Sequence, residues 1–276
     1  SNKIFDCFIQ SLRDSGEQLF VDQNAEADVA VIWSVLWQGR MMHYRPIWEN
    51  YRNKNKPVIV LEVGGIKRNE TWKIGINGVN READFANDEV TEERWTKFKI
   101  NLQPWKQTGE NIIICGQHGS SHQWRDNPPM IQWYEQQIKS VRQYTDKPIV
   151  IRPHPRNHVN IASNKFSKVK IIGPKRDQNT YDDTNLSEVF KSAWALLNHS
   201  SNPAMQAVFN GVPVFVSPAS LSFDVGNSNI GNIINPNMPD RQMWANKLAY
   251  TEWWLDEIAK GIPWQRIKNR LEEKYL

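Results

Sequence analysis

Four short segments carry side chains suited to chemistry, and three of them are suited to holding an anion. Arg152-Pro153-His154-Pro155-Arg156 sets one imidazole and two guanidinium groups in a turn stiffened by two prolines. Guanidinium groups grip phosphate through paired N–H donors, and an imidazole donates to a phosphate oxygen. Asn198-His199-Ser200-Ser201-Asn202-Pro203 reads as a strand end, a turn and a helix start, with Ser201 or Asn202 as the cap and Pro203 in the first helical turn. The hydroxyls and free N–H groups of that turn make a second anion site. Gly116-Gln117-His118-Gly119-Ser120-Ser121 is a Gly/Ser-rich turn in which His118 is a candidate for acid/base work or phosphate contact. The fourth segment, Leu61-Glu62-Val63-Gly64-Gly65, puts a carboxylate ahead of two glycines, where a substrate can come close to the backbone. Glu62 is a candidate general base there, or else a surface acid paired with Lys67 or Arg68.

These segments need a scaffold that gathers strand ends. Short β-rich runs alternate with amphipathic stretches, which predicts parallel sheets with crossover helices. Strands are expected at residues 3–9, 28–33, 57–62, 111–115, 148–152, 169–172, 193–197 and 213–216. Helices are expected at 40–53, 130–144, 203–210, 241–260 and 264–273. Ligands of open α/β sheets bind beyond the C-terminal ends of strands, and each candidate segment follows such a run. Asn210-Gly211-Val212-Pro213 supplies a glycine cap and a proline ahead of the next strand. The polar, turn-rich stretch 102–110 reads as a hinge between two lobes.

Composition narrows the classes. The 276 residues are 39% hydrophobic and 23% charged, which is neither a disordered nor a membrane composition. No apolar run approaches the roughly 18–20 residues of a spanning helix. No basic segment followed by an apolar stretch opens the chain, so neither a membrane span nor a signal peptide is expected, and the expected location is cytoplasmic. Cys7 and Cys115 each lie in a strand-like apolar run with no metal spacing, which predicts two buried free thiols. The net charge of +4 fits an anionic ligand, and because it is dispersed it does not by itself indicate nucleic acid. Among the 13 tryptophans, Trp244, Trp253, Trp254 and Trp264 near the C-terminus read as apolar anchors. No Asp-x-Asp stands at a strand end, and Asp182-Asp183 reads as a loop, so no metal site is expected.

Three motifs fall in order along the chain: Glu62-Val63-Gly64, His154-Pro155, and Ser200-Ser201 followed by Gly211-Val212-Pro213-Val214. This order resembles the capsule-polysaccharide transferases and the bacterial sialyl- and Kdo-transferases that use CMP-sugars. The resemblance covers roughly residues 57–216. It implies an α/β, GT-B-like fold, two Rossmann-like lobes with parallel sheets facing a central cleft. The implied division is an acceptor-side lobe at 1–105, a nucleotide-sugar lobe at 106–245, and helices at 246–276 that pack back toward the first lobe. By the same resemblance Glu62 is the base, His154 contacts the donor phosphate, and Ser200 and Ser201 bind it. On the reading of the two turns themselves, Arg152, Arg156 and Asn202 join them on the phosphate and nucleotide side. Val63 departs from the pattern, standing where that family often carries a second carboxylate. The implied reaction is inverting and metal-independent, with a nucleotide-sugar as co-substrate, a glycan or other hydroxyl acceptor, and no other cofactor. The Arg-Pro-His-Pro run also resembles wall-teichoic-type glycerophosphotransferases, which keeps CDP-alcohol donors open. Three other readings stay open: a phage-type DNA-base glycosyltransferase, a non-catalytic nucleotide- or glycan-binding protein, and a sugar-nucleotide epimerase. The DNA reading would draw on Lys97, Lys99 and Lys106 with Trp95 and Trp105, and it alone admits nucleic acid as a partner.

Overall fold

A computed structural model of the protein describes residues 3–21, 25–157, 159, 165–173 and 186–276. Asp182 and Asp183 lie outside the described residues. Two compact units form, Ser1–Lys99 with Gln242–Leu276, and Ile100–Arg241.

The first unit begins with α1 (Lys3–Asp14), β1 (Ala30–Trp33), α2 (Tyr44–Asn53), β2 (Val58–Val63), β3 (Thr71–Ile76) and α3 (Glu92–Lys97). The second contains β4 (Asn111–Cys115), α4 (Met130–Arg142), β5 (Ile149–Arg152), β6 (Val169–Ile171), α5 (Leu186–Lys191), β7 (Ala193–Asn198), α6 (Pro203–Phe209) and β8 (Val214–Val216). The chain then returns to the first unit with α7 (Gln242–Ala249), β9 (Glu252–Trp254), α8 (Leu255–Ala259) and α9 (Ile262–Lys274).

The opening segment is a helix, where a strand was expected at 3–9. Ile4, Phe5, Phe8 and Leu12 recur at helical spacing, and Phe8 and Leu12 are buried with Trp264, Ile267 and Leu271 of α9. Phe8 meets Trp264 edge to face at 6.3 Å. Cys7 therefore lies on a helix, half-buried, and only Cys115 is a buried strand thiol. The long helix expected at 241–260 is broken by β9, whose Trp253 fills the same core.

The first sheet has the order β1-β2-β3-β9. It is mixed, not parallel: β1 and β2 run parallel, while β3 is antiparallel to both β2 and β9. The short turn between Val63 and Thr71 leaves no room for a crossover helix, so β3 folds back on β2. Neither β3 nor β9 was expected. Lys73 and Gly75 dilute the strand pattern of β3, and β9 is three residues long.

The second sheet has the order β6-β5-β4-β7-β8 and is parallel throughout. Ile112–Ile114 of β4 are buried on both faces, as a central parallel strand requires. Tyr134, Ile138 and Val141 of α4 pack on the sheet, each worth about 1.5–3 kcal/mol of burial. The strand order reverses between β4 and β7, which opens a crevice at their C-terminal ends where ligands of such sheets bind.

Gly211 closes α6. Its φ of +71° is left-handed, and a Cβ there would lie 2.0 Å from the Pro104 carbonyl oxygen. The carbonyls of the last turn accept from Gly211 N and Val212 N at 3.1 and 2.9 Å. Arg241 lies over the Trp105 ring at 4.0 Å and donates to Val208 O and Gln103 O, each at 2.6 Å.

Candidate functional site

Strand register fixes what comes together in the second unit. Cys115 at the end of β4 stands opposite Arg152 of β5 on one side and Asn198 of β7 on the other. The three turns that follow therefore leave the sheet at one level. Counting two residues on from that row reaches His154, Gln117 and Ser200.

The turns are tied to each other. Gln117 is buried, and its Oε1 accepts from Ser200 N at 3.2 Å and from Ser200 Oγ at 3.1 Å. A backbone N–H only donates, so the carbonyl end of the amide faces the turn. Asn157 Nδ2 donates to Gln117 O at 3.3 Å, tying the β4 turn to the β5 turn. His199 Nε2 donates to Gln123 O at 3.0 Å, and its ring meets Trp124 edge-on at 5.1 Å. Asn198 Nδ2 donates to Cys115 O at 3.2 Å and to Ser201 Oγ at 2.7 Å.

The two histidines face each other edge-on, with ring centroids 5.3 Å apart. His118 is 6% exposed, and its Nδ1 accepts from Ser120 N at 3.1 Å. The neutral ring therefore carries its proton on Nε2, which is buried and meets no partner among the described residues. Asn198 Oδ1 is likewise a buried acceptor with no partner among the described residues. Unpaired buried polar atoms are rare in folded proteins, which makes these two candidates for meeting a ligand. His154 Nδ1 accepts from Arg156 N at 3.1 Å, which again leaves the proton for Nε2. Burial, and secondly the Arg156 guanidinium, hold the His118 imidazole below its ordinary pKa. Burial pushes the Cys115 thiol up to about 12, against the pull of Arg152, so this cysteine is inert.

Two sequence expectations change here. Arg152 is not held out by the proline turn; it is the buried last residue of β5, while Arg156 is exposed. The Ser-Ser turn does not cap its helix through a side chain. Asn202 is the first flanking residue, has helical φ and ψ, and makes no side-chain cap bond, while Ala204 N is taken by Ser201 O at 3.2 Å. The polarity of this turn comes from Ser200 and Ser201 and their partners rather than from a helix end.

Glu62 belongs to the first unit. It does not pair with Lys67, whose ion pair is with Glu70 at 3.7 Å. Glu62 Oε2 accepts from Ser34 Oγ at 2.5 Å, and Oε1 from Val63 N at 2.8 Å. Ser34 follows β1 and has a φ of +63°. The parallel pairing of Trp33 with Leu61 brings it beside Glu62. Across the sheet, Glu62 stands opposite Lys73, and Lys73 opposite Glu252. Lys73 and Glu252 are both buried; burial lowers the Lys73 pKa, and Glu252, Glu62 and Glu82 oppose that fall.

The double glycine after Glu62 serves this buried acid. Glu252 Oε1 accepts from Gly65 N at 2.6 Å and Ile66 N at 3.1 Å, and Oε2 from Thr71 Oγ1 at 2.8 Å. A Cβ on Gly64 would lie 2.5 Å from Glu252 Oε2 and 2.4 Å from Thr71 O. The close approach expected of a substrate is made by the protein's own carboxylate. Ser34, Lys73, Gln117 and Glu252 were not singled out in the sequence. Ser34 and Gln117 were within reach, since each follows from counting one or two residues past a recognised strand end.

Of the groups that a DNA-binding reading would use, Trp95 is buried, Trp105 carries Arg241 on one face, and Lys106 Nζ donates to Phe190 O and Lys191 O.

No family model matches the chain, and no curated protein matches it. Among solved structures, the KpsC β-Kdo 2,4 transferase of Thermosulfurimonas dismutans superposes with a TM-score of 0.55 at 11% identity, covering 95% of this chain and 96% of that one. The KpsC β-Kdo 2,7 transferase of the same organism gives 0.52 at 17% identity, covering 95% and 89%. This chain has a GT-B-like fold. Identities of this size speak for the fold alone. Among the described residues no helix is long and apolar enough to cross a membrane.

Proposed function

We propose that the chain is a glycosyltransferase that moves a sugar from a nucleotide-sugar, a CMP-sugar being favoured, to a hydroxyl of a glycan acceptor. The reaction is an inverting displacement that needs neither a metal nor a further cofactor. The observation that supports this reading most is the gathering of His118, His154, Ser200 and Ser201 at the strand-order reversal of a parallel sheet. The two KpsC structures that superpose on this chain are named as Kdo transferases, which agrees with it.

The chemistry divides between a base and a phosphate site. Glu62 receives the proton of the attacking hydroxyl; its carboxylate is already oriented by Ser34 and Val63 N. The departing phosphate gains negative charge, and donors fixed in advance stabilise it without reorganising. His118 and His154 carry Nε2–H, the Ser200–Ser201 turn carries hydroxyls that donate to Gln117 Oε1 and Gly116 O until a ligand replaces those acceptors, and Arg156 and Asn202 join them, with Arg152 buried at the strand end.

The test is a thermal-shift titration with CMP, CDP, UMP, UDP, GDP and ADP, with and without magnesium, followed by donor turnover. Stabilisation by CMP that is insensitive to magnesium is expected, with turnover that survives EDTA. Glu62→Gln is expected to abolish transfer and keep CMP binding. Preference for UDP would discard the CMP-sugar donor and keep the phosphate site. No shift with any nucleotide would remove the donor-site reading. Full activity in Glu62→Gln would remove the base.

A further inference from the structure

The reversal of strand order between β4 and β7 is where a phosphate would be received, yet a side chain of the protein already spans it. Gln117 leaves β4, Ser200 leaves β7, and one oxygen of the Gln117 carboxamide takes both donors of Ser200, N–H and O–H, at 3.2 and 3.1 Å. Gln117 and Ser200 are 5% and 3% exposed, so water does not stand in for either partner cheaply. Two donors of one residue converging on a single oxygen is the geometry with which a turn receives an anion oxygen. The neighbouring groups fit an anion too: the buried Nε2 of His118 lies one residue along, and His154 stands edge-on to it.

We propose that the Gln117 carboxamide is an internal surrogate for the donor's phosphate. Its Oε1 keeps the Ser200 donors engaged until a phosphate oxygen takes its place, so Gln117 sets the threshold for donor binding. This rests on the reading that Ser200 belongs to the phosphate site. The exchange favours the ligand because a charged acceptor makes bonds roughly twice as strong as a neutral amide oxygen. The amide still costs affinity, because the state that can bind phosphate is only the fraction in which Gln117 has let go. No bond is made or broken in the exchange beyond these hydrogen bonds.

The roles of surrogate and of scaffold predict opposite signs. If Gln117 competes with phosphate, removing its acceptor while keeping its volume tightens binding. If it merely holds Ser200 in place for the ligand, the same change weakens binding. The experiment is isothermal titration of CMP and of inorganic phosphate into the full chain and the variants Gln117→Met, Gln117→Glu and Ser200→Ala. Gln117→Met is expected to bind CMP about two- to tenfold more tightly, the net scale of releasing the two hydrogen bonds that share the single oxygen Oε1. Gln117→Glu is expected to bind at least tenfold more weakly, since its carboxylate holds the Ser200 donors and repels the phosphate. Weaker or unchanged binding in Gln117→Met overturns the proposal. Unchanged binding in Ser200→Ala overturns the phosphate-site reading instead, which separates the two failures. A measurement on the unaltered chain covers the case in which Gln117→Met fails to fold. The Ser200 backbone and Gln117 side-chain amide resonances are both expected to move on addition of CMP, and a Gln117 resonance that stays fixed while Ser200 moves also overturns it.

Discussion

At the scale of single residues, the candidate site is a set of polar side chains gathered beyond the ends of β4, β5 and β7. His154→Ala is expected to weaken CMP binding by about 1–3 kcal/mol, the scale of a lost charge-assisted hydrogen bond, read by calorimetry; unchanged affinity would remove His154 from the site. His118 makes a second prediction through pH. Burial and Arg156 hold its pKa below the ordinary 6.5, so the unfolded chain takes up the proton more readily than the folded one. Stability contributed at neutral pH is therefore lost as pH falls through about 6.5 toward the folded value, and below that value the loss stops growing. His118→Asn keeps an acceptor for Ser120 N, and its stability is expected to fall less over that window, measured by denaturant unfolding at stepped pH. Equal slopes in the two proteins would show that His118 is not the group responsible. The types of these residues were legible in the sequence, because Arg, His and Ser clustered after apolar runs. The partners were not: Gln117 and Glu252 bond residues 83 and 187 positions away, and no local pattern announces so distant a contact.

At the scale of elements, the sheet of the second unit was readable throughout, while in the first unit β1, β2, α2 and α9 were readable and α1, β3 and β9 were not. A parallel strand covered on both faces is a continuous apolar run, and Ile112–Ile114, Ile149–Ile151 and Leu196–Leu197 show it plainly. The mixed sheet accepts a charged residue even in its interior strand β3, where the buried Lys73 is sustained by Glu252 of the neighbouring β9. Likewise α1 imitates a strand over a few residues, and only its longer period and its burial against α9 decide the matter. The glycine cap of α6 was read correctly from Asn210-Gly211-Val212-Pro213. Gly211→Val is expected to destabilise the chain by several kcal/mol, since it adds a strained φ to a clash with the Pro104 carbonyl. An unchanged unfolding midpoint would show that the α6 terminus does not need this geometry.

At the scale of the whole molecule, the first unit is assembled from both ends of the sequence. Its sheet takes β9 as the fourth strand, and its core takes Trp253, Trp264, Ile267 and Leu271 from beyond residue 242. The Glu252 carboxylate that fastens the Gly65–Ile66 turn also comes from there. A chain cut after Arg241 is expected to lose the cooperative unfolding of the first unit and to retain that of residues 100–241. Calorimetry would then record one transition where the full chain carries the heat of two units, and two surviving transitions would show that the returning segment is dispensable. This arrangement reverses the usual order in which units are completed during synthesis. Residues 1–99 leave the ribosome before residues 100–241, but their closing strand is made only after that whole interior unit. At roughly 5–20 residues per second the early segment waits about ten to thirty seconds, with β2 and its apolar neighbours uncovered, for the tail that completes it. Residues 100–241 can therefore complete their unit before residues 1–99 complete theirs, and in that interval the early segment is the part of the chain most open to misassembly.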